Sequence, residues 1–333
     1  MGLKARPFLQ PLSWPYAAIT AVRNWAFDRG ILKSTSFDIP IITVGNLSTG
    51  GTGKTPMVSL LLKHSKGNVA VLSRGYGRKT KGYLEVSIDS AVQEVGDEPL
   101  EQKRKFPEVI VAVCEDRVAG IETLLKSYPD LQGILLDDAF QHRYVSPSTQ
   151  LVLTPYEQRF TKDYVLPAGN LRESAHGAER ATAIVVTKCP SELSQEEKQR
   201  IREEMASYSK APVFFSTLEY SENAKLSSED KYLVVTGIEN PTPLYNYLTD
   251  RGFSFEAIQF PDHHNFTASD IQKIEAKANT LKASGVITTA KDVTRLSPLW
   301  TSEIPLRVQE IETVVEDLPK LLETLQFPAF SND

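Results

Sequence analysis

The chain has little cysteine, little histidine and no excess of positive charge. Its two cysteines, Cys114 and Cys189, stand in no CxxC or Cys/His spacing. That excludes a disulfide framework and a structural zinc site, and it suits a reducing compartment, with cytoplasm the default. The 42 acidic residues outnumber the 37 basic ones, for a net charge of −5. A general nucleic-acid binder is thereby disfavoured, because phosphate-tracking surfaces are basic, and no nucleic-acid partner is expected. No uninterrupted apolar run reaches the roughly 18 residues of a membrane-spanning helix, and the start lacks a signal peptide's small-residue cleavage pattern. Repeats and low-complexity segments are also missing. What remains is 333 residues, enough for two domains that each bury a core.

Residues 1–34 depart from this average. Between Pro7 and Leu32 lie Phe8, Leu9, Leu12, Trp14, Tyr16, Ile19, Val22, Trp25, Phe27 and Ile31, while Lys4, Arg6, Arg23, Arg29 and Lys33 face Asp28 alone, a local excess of +4. An aromatic-rich amphipathic helix flanked by basic residues suits the plane of an anionic membrane surface. The same stripe also suits a helix that packs on its own domain.

After Pro40 short β-branched runs alternate with segments of helical length: 41–44, 69–72, 109–113, 134–136, 151–153 and 184–186. That alternation predicts a doubly wound α/β fold with a parallel sheet. Ser194 and Glu197 form a capping-box pattern that opens a charged helix to about Ser207. The polar stretch Ser221 to Asp230 reads as a linker. Strand-like runs at 232–235, 255–258, 286–289 and 306–308, with helical patterns near 243–251, 268–282 and 314–325, follow it. The organisation predicted is an amphipathic segment over 1–34, a nucleotide-binding domain over 35–220, a smaller α/β domain over 221–333, and a site in the cleft between the domains.

The run Ile41 to Val44 leads into Gly45-Asn46-Leu47-Ser48-Thr49-Gly50-Gly51-Thr52-Gly53-Lys54-Thr55-Pro56 and then an apolar helical segment. Glycines let backbone N–H groups turn toward phosphate oxygens, and the helix N-terminus adds positive potential. Ser48, Thr49, Gly50, Gly51, Thr52, Gly53, Lys54 and Thr55 are the candidate ATP-binding residues, with Lys54 reaching the β- and γ-phosphates and Thr55 offering its hydroxyl to Mg²⁺. The first glycine of the general P-loop pattern is replaced by Ser48. Such a loop needs a metal-positioning carboxylate at a neighbouring strand end, and Asp137 and Asp138 supply one after Ile134-Leu135-Leu136. Acids in that place also serve as helix caps.

Three further clusters are dense in functional residue types. Ser73 to Arg78 can bring Arg74 or Arg78 to phosphate, although solvated arginines are common in glycine-rich turns. Asp97 and Glu98 precede Pro99, which predicts a non-helical loop holding either a loop-capping or a catalytic acid. Asp262, His263 and His264 suggest proton transfer or metal binding, with a helix entry as the alternative.

These stretches together resemble the tetraacyldisaccharide 4'-kinases, the lipid A 4'-kinases of Gram-negative bacteria: VGNLSTGGTGKTP (44–56), SRGYGR (73–78), GDEP (96–99), DDAFQHR (137–143), LPAGNLRE (166–173), VTGIENP (235–241), FPDHHNF (260–266) and TTAKDVTR (288–295). The resemblance implies Mg²⁺-ATP-dependent phosphorylation of the 4'-hydroxyl of a lipid A disaccharide precursor, by a peripheral protein on the cytoplasmic face of the inner membrane that docks through its N-terminal segment. A monomer is expected. It further implies that Ser48 is the family's own form of the loop, that Asp97 acts as the base-like acid with a histidine of the DHH segment, here taken as His263, and that Asp137 and Asp138 are the metal pair. It places Gln141 and His142 near nucleotide or metal, and offers Arg117, Arg143 and Arg172 beside Arg74 as phosphate contacts. Ala139 and Ala290 depart from the family's glycine and acid. A rival reading is a membrane-associated ATPase switch of the ParA or MinD kind. Those proteins carry a lysine early in the loop, where Thr49 stands here.

Overall fold

The computed structural model describes residues 7–330 apart from 222, 223, 225, 263 and 328. Eight strands precede residue 221: β1 (Ile41–Asn46), β2 (Val69–Ser73), β3 (Leu84–Glu85), β4 (Ile110–Val113), β5 (Gly133–Asp137), β6 (Thr149–Pro155), β7 (Ala183–Thr187) and β8 (Val213–Tyr220). They lie in the order β8-β7-β6-β1-β5-β2-β4-β3, parallel throughout except for β3 at the edge. The helices of this part are α1 (Gln10–Asp28), α2 (Lys54–Lys63), α3 (Val92–Val95), α4 (Asp97–Lys105), α5 (Arg117–Ser127) and α6 (Gln195–Ala206).

Alternate residues of the central strands feed opposite faces. Ile42, Val44, Leu135, Leu151 and Leu153 pack with Met57, Val58 and Leu61 of α2. Ile41, Ile134 and Leu136 pack with Ile121 and Leu124 of α5. Burial on both faces is why these strands read as continuous apolar runs rather than alternating ones.

A second sheet follows, built from β9 (Lys231–Thr236), β10 (Ser254–Gln259), β11 (Gly285–Thr289) and β12 (Leu306–Gln309) in the parallel order β10-β9-β11-β12. Its helices are α7 (Thr242–Asp250), α8 (Ala268–Leu281) and α9 (Ala290–Leu296). Its last strand ends at Gln309. The chain returns to the first sheet: β13 (Ile311–Val315) pairs antiparallel with β8, and α10 (Leu318–Leu325) buries Leu321, Leu322 and Leu325 against the core of α2. The helical pattern near 314–325 therefore begins four residues later than predicted, after a strand. The return is a matter of packing, since Phe327 lies directly over Gly133, where a Cβ would strike its ring. Two covalent crossings, after β8 and before β13, thus join the domains. Contacts between α4 and α9 add Arg104 Nη1 to the Thr294 carbonyl at 3.3 Å, and Lys105 pairs with Glu310 at 2.8 Å.

The GDEP segment is a correction to the sequence reading. Asp97 and Glu98 open α4 instead of lying in a loop. Pro99 is tolerated because the first four N–H groups of a helix have no intrahelical acceptor.

Helix α1 is turned the opposite way from an ordinary surface helix. Its inner face is tied down by polar groups: Ser13 Oγ to the Val165 carbonyl (2.9 Å), Tyr16 OH to the Arg172 carbonyl (3.0 Å), Arg23 to the Gln141 carbonyl (3.0 Å) and Asn24 to Glu173 (2.7 Å). Leu12, Trp14, Ile19, Val22 and Trp25 face outward, each 53–68% exposed. Among the described residues no helix is long and apolar enough to cross a membrane.

Because α10 completes the large core, Leu321→Ala is expected to destabilise the nucleotide-binding domain by about 2–5 kcal/mol. Hydrogen exchange should show faster opening of β1, β6 and β7; loss of protection confined to β9 to β12 would contradict the assignment.

Candidate active site

Parallel pairing sets Val44 opposite Asp137, so the loop after β1 and the acids after β5 emerge at one edge of the sheet. Gly50 (φ +102°) and Gly53 (φ +89°) occupy left-handed conformations that glycine adopts without steric cost. Gly53 then caps α2, whose first residue is Lys54. The helix dipole and the unpaired first-turn N–H groups make this end an anion site.

The loop is held on all sides. Asn46 Nδ2 donates to Thr52 Oγ1 at 2.8 Å, the Thr49 N–H donates to the Asn170 carbonyl at 2.8 Å, and Gln102 Nε2 donates to the Thr55 carbonyl at 3.0 Å. Residues 163–173 run alongside it, with the Arg172 N–H on the Leu47 carbonyl.

Lys54 Nζ lies 3.6 Å and Arg172 Nη1 2.9 Å from Asp138 Oδ1. Asp138 adopts a left-handed φ of +47°, a region few non-glycine residues other than Asn and Asp enter. The two acids are driven apart. Burial pushes Asp138 up, but Lys54 and then Arg172 outweigh it and hold its carboxyl below the usual range. Asp137, 4% exposed, is pushed up to about 7 by burial and then by the charge of Glu98, and its Oδ1 has no hydrogen-bond partner. Two adjacent carboxyls with such different proton affinities have separate tasks. Glu98 itself is raised by burial, with Lys54 opposing, and Glu101 is pushed up to about 7 by burial and then by Glu98. The first turn of α4 therefore lies in the same electrostatic field as Lys54.

Of the sequence-predicted candidates, Ser48 to Thr55, Asp137, Asp138, Gln141 and Arg172 converge. Gln141 donates to the Asn46 carbonyl at 2.8 Å and to Glu173 at 3.1 Å. Arg117 lies behind the acids, bonded to the Cys114 carbonyl and, at 3.4 Å, to the Asp137 carbonyl; burial pulls it down to about 10. Arg78 is committed to Glu115 and the Gly82 carbonyl, and Arg143 to Asp28 and the Asn24 carbonyl, where it anchors α1. Neither is turned toward the loop. Arg74 is exposed. His142 is kept neutral, pulled down to about 4 by burial and then by Arg117; it lines a cavity of about 120 Å³ with Thr43 and Arg180. Asp97 is 7% exposed at the start of α4. In the second domain Asp262 pairs with Lys291 at 3.2 Å, while His264 stacks on Phe260 and bonds, at 3.1 Å, Asp270, which caps α8 together with Thr267. His263 lies outside the described residues.

The sequence reading passed over Asn46, Gln102, Thr187, Lys188 and Glu173. Glu173, 3% exposed, accepts from Asn24, Gln141 and Arg180. Polar residues at the C-terminal ends of parallel strands, where open α/β sheets bind ligands, were the available signal for Asn46 and for Thr187 with Lys188.

A glycine-rich strand-to-helix loop beside a strand ending in paired acids defines a P-loop nucleotide-binding protein. The family model for tetraacyldisaccharide-1-P 4'-kinase (LpxK) matches residues 5–326, and the chain belongs to that family. The tetraacyldisaccharide 4'-kinase of Flavobacterium johnsoniae is 44% identical over 303 residues, covering 87% of each chain. That of Bacteroides thetaiotaomicron is 39% identical, over 97% of this chain and 90% of its own. The structure of LpxK from Aquifex aeolicus in complex with ATP superposes with a TM-score of 0.76 at 30% identity, over 98% of this chain and 99% of the other.

Because Asp137 holds its proton more tightly in the fold than in the unfolded chain, its burial costs stability that is complete above about pH 7 and shrinks as the pH falls toward the ordinary carboxylate range. Asp137→Asn is therefore expected to raise the melting temperature of the protein without nucleotide or Mg²⁺ by about 2 °C or more at pH 8 and by clearly less at pH 5. Equal gains at both pH values would contradict the raised affinity for protons.

Proposed function

We propose that this chain transfers the γ-phosphoryl group of ATP to the 4'-hydroxyl of a tetraacylated glucosamine disaccharide 1-phosphate, giving lipid IVA, as a peripheral monomer on the cytoplasmic face of the inner membrane. One observation carries the reading: Arg172 joins the two halves of the task. Its guanidinium holds Asp138 beside Lys54, and its carbonyl holds Tyr16 of α1, the helix that displays a row of apolar side chains. The phosphate site and a surface suited to acyl chains or lipid are thus one hydrogen-bonded unit. The family membership disfavours the ATPase-switch alternative.

In this scheme the loop Ser48 to Thr55 cradles the polyphosphate with those backbone N–H groups that the Asn170 and Gly50 carbonyls do not engage, and Lys54 neutralises the charge shared by the β- and γ-phosphates. Mg²⁺ fits the residues present, because Asp137 Oδ1 is buried without a partner and Thr55 brings its hydroxyl to the first turn of α2; phosphate-site Mg²⁺ needs only one or two such protein oxygens. Bound there, it would neutralise charge on the phosphate oxygens. Asp138 stays ionised between Lys54 and Arg172 and keeps the lysine aimed at the loop. Asp97, at the N-terminus of α4, accepts the proton of the acceptor hydroxyl as that oxygen takes the phosphoryl group. Because His264 is committed to Asp270, His263 is the proposed partner of Asp97. A site assembled from both domains would exclude water when they close.

Asp97→Ala should lower kcat by about 10²- to 10⁴-fold with ATP affinity retained, whereas Lys54→Ala should weaken ATP binding by at least about tenfold. Steady-state kinetics with titration of a fluorescent ATP analogue separates the two; wild-type turnover in Asp97→Ala removes the proton-acceptor role. Replacing Leu12, Ile19 and Val22 together by serine should release the protein from phosphatidylglycerol vesicles in a sedimentation assay. Unchanged sedimentation would mean that α1 is not the docking element.

A further inference from the structure

The strand end two places from β1, on the side away from Asp137, carries two polar residues that the transfer scheme does not use. Thr187, 2% exposed, donates its hydroxyl to the Thr52 carbonyl at 2.8 Å. Lys188 Nζ donates to the Gly51 carbonyl at 2.6 Å. Neighbouring residues of β7's end thereby grip two successive carbonyls of the phosphate-binding loop.

The geometry of the peptide unit gives this grip a consequence. In a trans peptide the C=O and the following N–H point in opposite directions. Holding the Gly51 and Thr52 carbonyls toward β7 turns the N–H groups of Thr52 and Gly53 away from it. The Thr52 N–H closes a tight turn on the Gly50 carbonyl at 3.0 Å, and the Gly53 N–H, at the N-terminus of α2, is a donor of the kind a P-loop presents to phosphate. Asn46 fixes the Thr52 side chain from a third direction. Lys188 also adopts a left-handed φ of +56°, as Asp138 does at +47°. The other two such non-glycine residues among those described, Lys282 and Gln326, end helices, whereas Asp138 and Lys188 both follow strands beside the loop. A lysine serving only solubility would need neither the strained backbone nor a charge-assisted bond to a loop carbonyl.

We propose that Thr187 and Lys188 are positioning residues that pre-shape the phosphate-binding loop, the lysine by anchoring the Gly51 carbonyl and the threonine by anchoring that of Thr52. The inference rests on the reading of the loop as the ATP site. Its effect belongs to nucleotide affinity and leaves the acceptor site alone, because neither side chain is among those that tie the loop to α1 or to α4.

The test uses the full-length wild type, Lys188→Met, Lys188→Arg and Thr187→Val, with steady-state kinetics for both substrates, titration of a fluorescent ATP analogue and melting curves without nucleotide. Lys188→Met is expected to raise the KM for ATP and the dissociation constant of the analogue about tenfold, with the KM for the lipid acceptor and the melting temperature unchanged. Lys188→Arg, which keeps a charged donor, should recover most of the affinity, and Thr187→Val should show the same selective loss as Lys188→Met. If Lys188→Met does not fold, Thr187→Val is judged on the same criterion. Unchanged ATP affinity, or equal loss for both substrates with a lowered melting temperature, overturns the clamp. Failure of the wild type itself to bind the analogue would sink the ATP reading and the clamp with it.

Discussion

The structure depends on the parallel register of β1 against β5, which sets Val44 beside Asp137. That one pairing puts a helix N-terminus and Lys54 on one side of a narrow edge and two carboxyls on the other. The charges then sort themselves. Asp138 reaches Lys54 and Arg172 and stays ionised, whereas Asp137, deeper and next to Glu98, holds its proton more tightly. A slip of one residue would exchange the side chains that β5 offers to the α2 and α5 layers and would carry the acids away from the loop. The apolar alternation of Ile41, Ile42, Ile134 and Leu135 between two helical layers is what forbids the slip.

Around this edge polar bonds place the segments that carry the site residues. Helix α1 is the clearest case. A surface helix ordinarily buries its apolar stripe, but here Ser13, Tyr16, Arg23 and Asn24 hold it to the segments carrying Arg172, Gln141 and Glu173, and its large apolar residues, Phe27 excepted, are left outside. An exposed row of Leu, Ile, Val and Trp is costly in water and useful against lipid. The arrangement links an exposed apolar surface to the carboxyl beside Lys54 through a single residue, Arg172.

Much of this was legible in the sequence, for identifiable reasons. The β1 loop, the acids after β5 and the alternation of strands and helices are local patterns, and local patterns survive in one dimension. The return of β13 to β8 was not legible, because strand pairing across some 90 positions leaves no local mark, and residues 311–315 stand next to a helical pattern that masks them. The start of α4 was hidden by Pro99, which argues against helix everywhere except in the first turn. Sequence gave Arg78 and Arg143 the same standing as Arg172; only the fold shows that Glu115 and Asp28 engage the first two. Thr187 and Lys188 look like the ordinary end of a strand until β6 and β7 bring them under the loop.

The central claim is that the β1 loop and the α1 surface serve one reaction, phosphoryl transfer to a lipid-borne hydroxyl. The most direct measurement is incubation of the purified chain with γ-labelled ATP, Mg²⁺ and tetraacyldisaccharide 1-phosphate in mixed micelles, beside the same acceptor lacking its 4'-hydroxyl. The account predicts one labelled phosphate per intact acceptor and none on the 4'-deoxy compound. Label released only as inorganic phosphate, at a rate indifferent to the acceptor, would contradict it.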